Sequence, residues 1–293
     1  MIPEVAQLIE RLDELGYIVE EELATVLLLA LKLEKPLLLE GPPGVGKTEA
    51  AHILASHLNT ELIRLQCYEG LDVNTAIYEW NYQKQLLSIK INEHADLSAR
   101  EKEEQIFGEE YLLKRPLLQA ITAQDKPPVL LIDEVDRADE EFEAFLLELL
   151  SAFQITIPEM GTIKAKHRPI VVLTSNRTRE LSDALKRRCL YHWITYPGFD
   201  KEIRIVRKRF PEVNEQIARQ LVSFVEQLRK MNLQKSPGIA ETLDWTQSLL
   251  ALQPDTFSAE YIEKTLGCVL KSDHDIHAVK TQGVKQILEE IKT

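Results

Sequence analysis

Eight residues, GPPGVGKT from Gly41 to Thr48, constrain the fold of this chain more than any other stretch. They satisfy G-x-x-x-x-G-K-[ST] in full. The context agrees, because an apolar run, PLLLE at 36–40, precedes them and a helical pattern at 48–58 follows. Glycines permit a tight loop whose backbone N–H groups converge on phosphate oxygens at a helix N-terminus. Lys47 would reach the β and γ phosphates of ATP, and Thr48 would ligate Mg²⁺. The candidate nucleotide contacts are therefore Gly41, Pro42, Pro43, Gly44, Val45, Gly46, Lys47, Thr48 and Glu49. A Gly-Pro-rich turn matching by chance would lack the strand before it and the helix after it.

Such a loop belongs in an α/β sheet with parallel strands, and the first two-thirds of the chain supply one. Strands are predicted at 36–40, 61–67, 129–133, 169–174 and 190–196, all short and rich in Leu, Ile and Val. A helix is predicted over 138–153, with Phe142, Phe145, Leu146, Leu149 and Leu150 on one face and Glu140, Glu141, Glu143 and Glu148 around the other. After Tyr196-Pro197-Gly198 the strand signals stop. Four or five amphipathic helices follow, punctuated by Pro211, Ser236-Pro237-Gly238 and Pro254-Asp255. The expected organisation is an α/β nucleotide-binding domain, 1–198, and a small all-α domain, 199–293. Two regions exceed a minimal sheet. An insert of about 68–128 holds AIYEWNYQKQLL (76–87), a charged stretch from His94 to Gln105 and a helical stretch at 117–123. QITIPEMGTIKAK, 154–166, alternates about Pro-Glu-Met-Gly and reads as a β-hairpin.

Asp133 and Glu134 end the apolar run VLLID, at the tip of a strand that reads as buried. Two carboxylates there are costly without a cation. The phosphate loop implies that cation, Mg²⁺. Asp133 would hold it through water, and Glu134 would polarise the attacking water as general base. One carboxylate suffices for binding, so the second points to hydrolysis. Asp136, Asp139, Glu140 and Glu141 read as solvated acids of a loop and a helix N-terminus. Asn176, ending VVLTSN, can orient the lytic water or simply turn the chain. Arg187 and Arg188, in LKRRC, fit either a basic surface turn or an arginine finger reaching a neighbouring subunit's nucleotide. Spacing leaves both readings open.

Composition narrows the partners. A net charge of -12 argues against a protein whose main task is coating nucleic acid. Cys67, Cys189 and Cys268 are scattered without CxxC spacing, which argues against a disulfide framework or a zinc site and fits a reducing cytoplasm. The longest apolar run, Ala24 to Leu33, is too short for a membrane span. Tyr78, Trp80 and Tyr82 could stack bases, but equally form one face of an insert packed on the core or an anchor for a protein partner.

Taken in order, LLLEGPPGVGKTE, LLIDEVDRADEEFEAFLLELLSAFQITIPEMG, VVLTSN and LKRRC followed by helices resemble the MoxR-type branch of the AAA+ ATPases. YEWNYQKQLL with FGEEYLLKRPLLQAI is most similar to the CoxD-like subgroup. The resemblance implies a P-loop AAA+ core with a five-stranded parallel sheet and a helical lid. It implies Walker A at Lys47 and Thr48, Walker B at Asp133 and Glu134, a sensor at Asn176 and an arginine finger at Arg188, with Arg187 as the fallback. It further implies that Gln66 restrains Glu134 until a partner engages, and that the insert and hairpin face the pore or partner side of a ring. Many relatives carry an Arg on the lid helix that touches the γ-phosphate; KSPGIAETLDW has none. The expected function is Mg²⁺-dependent ATP hydrolysis by a homo-oligomer, a hexameric ring, that remodels or matures a protein client. A von Willebrand factor A domain protein is the implied partner, and metal-centre maturation the role implied by the subgroup. The rivals are a nucleic-acid-directed motor, for which Lys164, Lys166 and Arg168 offer a thin basic stripe, and an ATP-binding scaffold without turnover.

Overall fold

Alternation of short aliphatic runs with amphipathic stretches produces alternating strands and helices. A computed structural model describes residues 2–91, 98, 106–252 and 257–291. Among these the strands are β1 (Leu37–Glu40), β2 (Leu62–Gln66), β3 (Tyr78–Trp80), β4 (Leu112–Lys114), β5 (Val129–Asp133), β6 (Gln154–Ile157), β7 (Gly161–Lys164), β8 (Ile170–Ser175) and β9 (Leu190–Trp193). The helices of the first two-thirds are α1 (Pro3–Glu14), α2 (Glu21–Leu33), α3 (Lys47–Leu58), α4 (Val73–Ile77), α5 (Tyr82–Ile91), α6 (Pro116–Ile121), α7 (Glu140–Ala152) and α8 (Asp183–Arg188). The last third holds α9 (Phe199–Arg209), α10 (Glu215–Lys230), α11 (Ile239–Leu252), α12 (Ala259–Val269), α13 (Asp273–Gln282) and α14 (Val284–Ile291), with no strand among its described residues after β9.

The chain packs as two units. One takes residues 22–40 and 51–192. It carries the five-stranded parallel sheet, in the order β2-β5-β8-β1-β9. Every residue of β5 is buried and β1 is buried throughout, as strands covered on both faces must be. Register sets the functional edge. Gln66 pairs with Asp133, Ile132 with Leu173, and Glu40 with Ser175, so β2, β5, β8 and β1 end together. The predicted hairpin forms as β6-β7, antiparallel, with Ile157 opposite Gly161.

The insert forms a second small sheet, β3-β4, with α4, α5 and α6 around it. Its charged stretch from His94 to Gln105 lies, apart from Ser98, outside the described residues. The three aromatics do not share a face. β3 ends at Trp80 and α5 begins at Tyr82, so the two-residue period breaks between them. Trp80 is buried, edge-on to Tyr78 and Phe107, whereas Tyr82 is 65% exposed. Stacking of bases across all three, and Trp80 as an interface anchor, are therefore corrected: Trp80 is core.

Two acids also depart from expectation. Glu143 is not on the solvated face of α7. It is buried, accepts from the Ser182 backbone N–H at 3.0 Å and pairs with Arg179. Asp136 is 2% exposed rather than solvated, because three donors beyond β8 converge on it. Asp139 does cap α7, accepting from Phe142 N at 2.8 Å.

The other unit takes residues 1–21, 41–50 and 193–293. Among the described residues six helices follow residue 198 rather than four or five, because the chain turns again at 270–272 and at Gly283. Pro254-Asp255 lies outside the described residues. Phe224, Trp245 and Phe257 meet edge to face at its centre, and the Trp245 indole N–H donates to Thr265 Oγ1 at 2.8 Å. No described helix is long and apolar enough to cross a membrane.

Candidate active site

The glycine-rich loop runs from the end of β1 into α3. Gly41 has φ +157°, and a Cβ there would lie 2.2 Å from the Ile194 carbonyl oxygen. Gly44 has φ +74°, a left-handed conformation that side chains resist. Lys47 is buried, and its ammonium donates to the Gly41 and Pro42 carbonyls at 2.8 and 2.7 Å. A buried lysine whose ammonium is drawn to the carbonyls of the loop suits a phosphate site. Val45 is buried while Pro43 and Glu49 are exposed, and Thr48 falls in the first turn of α3.

Sequence reasoning missed what lies against this loop. The Tyr17 hydroxyl donates to the Gly46 carbonyl at 3.5 Å, and burial, then Glu49 and Glu20, push its phenol pKa up. The first turn of α11 packs on Gly44: Ala240 N donates to Gly44 O at 3.2 Å, and a Cβ on Gly238 would meet that carbonyl at 2.8 Å. Glu241 caps the turn, accepting from Gly238 N at 2.9 Å. Behind it, Arg229 donates to the Pro237 carbonyl at 2.8 Å and forks onto buried Glu202 at 2.6 and 2.9 Å. It is thus the backbone of KSPGIAETLDW that meets the loop.

The carboxylates form a second group. Asp133 ends β5 and is 3% exposed. Thr174 of β8 joins the pair, its hydroxyl donating to Asp133 Oδ1 at 2.5 Å and accepting from Glu134 N at 2.9 Å. Glu134 sits at φ 55°, ψ 49°, a strained conformation for a non-glycine residue. Its Oε1 accepts from Asn176 Nδ2 at 3.2 Å, and its Oε2 from Gln66 Nε2 at 3.2 Å, with Arg137 Nε at 3.1 Å. Arg64 Nη2 reaches Asp133 Oδ2 and Gln66 Oε1, each at 2.5 Å. Asp136 accepts from Asn176 N and from Thr178 N and Oγ1, which positions Asn176. Next to these acids, burial and then the charges of Asp133, Asp136 and Glu134 push the Cys67 thiol up to about 12, which disfavours the thiolate.

Asp133, Glu134, Asn176 and Gln66 are thus brought together. Thr174 and Arg64 were not singled out from sequence, although both lie on the strands that carry those residues. Arg187 and Arg188 end α8. Arg188 donates to Ser151 Oγ at 2.8 Å and Ala184 O at 3.0 Å; Arg187 is exposed and makes no side-chain hydrogen bond or ion pair with a described residue.

A family model described as "ATPase family associated with various cellular activities (AAA)" matches residues 37–194, more than half of the chain. An uncharacterized protein of Staphylococcus haemolyticus is 27% identical over 240 residues, 80% of this chain and 82% of its own length. A counterpart from Staphylococcus epidermidis is 26% identical over 209 residues, 69% and 72% of the two lengths. Among solved structures, two variants of Thermotoga maritima RuvB superpose with TM-scores of 0.52 and 0.51 at 21% identity. They cover 87% and 86% of this chain and 71% and 70% of theirs. At that identity the likeness is one of fold.

Proposed function

The chain belongs to the ATPase family associated with various cellular activities, and from that premise we propose a Mg²⁺-dependent ATPase in which each residue group described above has a separate task. The loop from Gly41 to Gly46 cradles the phosphates, Lys47 compensates the β and γ charges, and Glu49 lies in the first turn beyond. Thr48 and Asp133 would hold the metal. The donor chemistry fits: hydroxyl and carboxylate oxygens suit a hard cation, and Asp133 is a buried carboxylate that already takes a cationic partner. When bound, Mg²⁺ supplies charge neutralisation across the β and γ phosphates.

Glu134 accepts the proton of the attacking water at its carboxylate, and Asn176 fixes that carboxylate's rotamer. The observation that carries the reading is the Thr174 hydroxyl bridging Asp133 and the Glu134 backbone while Asn176 Nδ2 bonds the Glu134 carboxylate. Two adjacent acids, separately oriented, suit two different roles. Gln66 restrains Glu134. Arg188, or failing it Arg187, acts on a neighbour's nucleotide in a hexameric ring.

The MoxR-type, CoxD-like assignment belongs to the same proposal. It is supported by the separate insert sheet and the β6-β7 hairpin. On that reading the ring remodels or matures a protein client with a von Willebrand factor A domain partner, in a cytoplasm that keeps the three cysteines free.

Glu134→Gln tests the chemistry. ATP binding should persist, measured by fluorescent-nucleotide titration, while phosphate release falls about 10²–10⁴-fold. Turnover at the parent rate would remove Glu134 from the role of base. Stimulation of the parent by DNA rather than by a protein partner would favour a nucleic-acid motor.

A further inference from the structure

Asp133 has both carboxylate oxygens engaged by the protein. Thr174 donates to Oδ1, and Arg64 donates to Oδ2 at 2.5 Å. The contact is asymmetric: the Asp133 side chain is 4% exposed and that of Arg64 is 49% exposed. Arg64 stands two residues before Gln66 on β2, so the two side chains share a face. The same Arg64 nitrogen that holds Asp133 also donates to Gln66 Oε1, and the amide N–H of Gln66 donates to Glu134. One side chain therefore links the acid proposed to hold the metal to the residue that holds the proposed base.

We infer that Arg64 is a positioning residue: a tethered cation that neutralises Asp133 until metal arrives, gives the carboxylate up to Mg²⁺, and in leaving loosens the hold of Gln66 on Glu134. This rests on the assignment of Asp133 as a metal ligand. The physics is competition. A buried carboxylate needs a counter-charge, and an Arg guanidinium keeps its charge at any working pH. A metal ion held through water beside the Asp133 carboxylate and a guanidinium bonded to it repel each other, so the two compete for its charge. Asp133 lies in the core and has nowhere to go. Arg64 is half exposed and can rotate into water at little cost. Once it turns away, Gln66 loses the partner on its carbonyl oxygen and is oriented only by its Nε2 contacts, to Glu134 Oε2 at 3.2 Å and to the Cys67 carbonyl at 3.4 Å, so its hold on Glu134 weakens. Metal loading and release of the base are then coupled through a single side chain.

The test titrates Mg²⁺ against a fixed concentration of a fluorescent ATP analogue, with binding as the readout. Removing the competing charge in Arg64→Met should lower half-saturating Mg²⁺ by about three- to tenfold, the range for a half-exposed ion pair to a buried carboxylate. Nucleotide affinity in EDTA should not change. Arg64→Lys, which keeps the charge, should stay nearer the parent. A folded Arg64→Met with unchanged or raised half-saturating Mg²⁺ overturns the inference. Should that variant not fold by circular dichroism, Arg64→Gln decides by the same titration and the same outcomes. Asp133→Asn separates the two assignments. If it titrates like the parent, the metal-ligand reading fails and takes the Arg64 role with it. If Asp133→Asn shifts the Mg²⁺ dependence and the Arg64 variants do not, only the role of Arg64 is lost.

Discussion

A single missing side chain lets α11 rest on the phosphate loop. Gly238 needs no unusual backbone angle, so its smallness serves contact rather than conformation. A methyl group in its place would stand 2.8 Å from the Gly44 carbonyl oxygen and 2.9 Å from Gly44 Cα. Backbone on both sides cannot yield as a flexible side chain can. Gly238→Ala should therefore cost about 1–3 kcal/mol, the usual range for overpacking. Because the strain falls on the loop itself, nucleotide affinity should drop along with the melting temperature, as thermal scans with and without ATP would show. Equal ligand-induced stabilisation in variant and parent would place the strain elsewhere. The loop's own glycines were legible in GPPGVGKT because that motif is a local pattern. Gly238 was not, because nothing within SPG says which backbone it will meet.

At the scale of elements, the insert shows where periodicity misleads. Tyr78, Trp80 and Tyr82 alternate like a strand face, but the strand stops at Trp80 and a helix begins at Tyr82. The middle ring goes into the core with Phe107, and the last goes to solvent. Trp80→Ala should destabilise the chain by about 3–5 kcal/mol, the cost of removing a buried aromatic. Trp80→Phe should cost much less, since the indole N–H donates to no described residue and phenylalanine forfeits no hydrogen bond. Urea titrations of the two variants would show this ordering. Equal small losses in both would return Trp80 to the surface. The hairpin, by contrast, was readable, because Pro158–Gly161 is turn chemistry flanked by residues of period two.

At the scale of the whole molecule, proposed action between subunits turns on α8. Arg188 is tied to Ser151 and Ala184, which aims it, while Arg187 has no such tether. A finger acts where charge develops on a neighbour's phosphate, so its loss should spare binding and impair turnover in the assembled state. Arg188→Ala subunits mixed with Glu134→Gln subunits should regain part of the phosphate release that each lacks alone, at interfaces pairing an intact arginine with an intact base. Arg187→Ala, tested in parallel, should retain turnover. Recovery with Arg187→Ala and none with Arg188→Ala would exchange the two assignments.

The amino-acid sequence by itself determined the loop, the adjacent carboxylates, the five strands and the change to helices after residue 198. All of these are encoded over a few residues, in covalent spacing and hydrophobic period. Only the tertiary structure decided what the carboxylates touch. Thr174, Asn176 and Arg64 lie 41, 42 and 69 positions from the acids they contact, and no local pattern links them. They meet because β2, β5 and β8 run parallel in a register that brings their ends to one edge. The same distance along the chain explains the buried acids Asp136 and Glu143. From sequence each is an acid in a polar stretch, and burial becomes affordable only when the backbone N–H groups of 176, 178 and 182 fold over them.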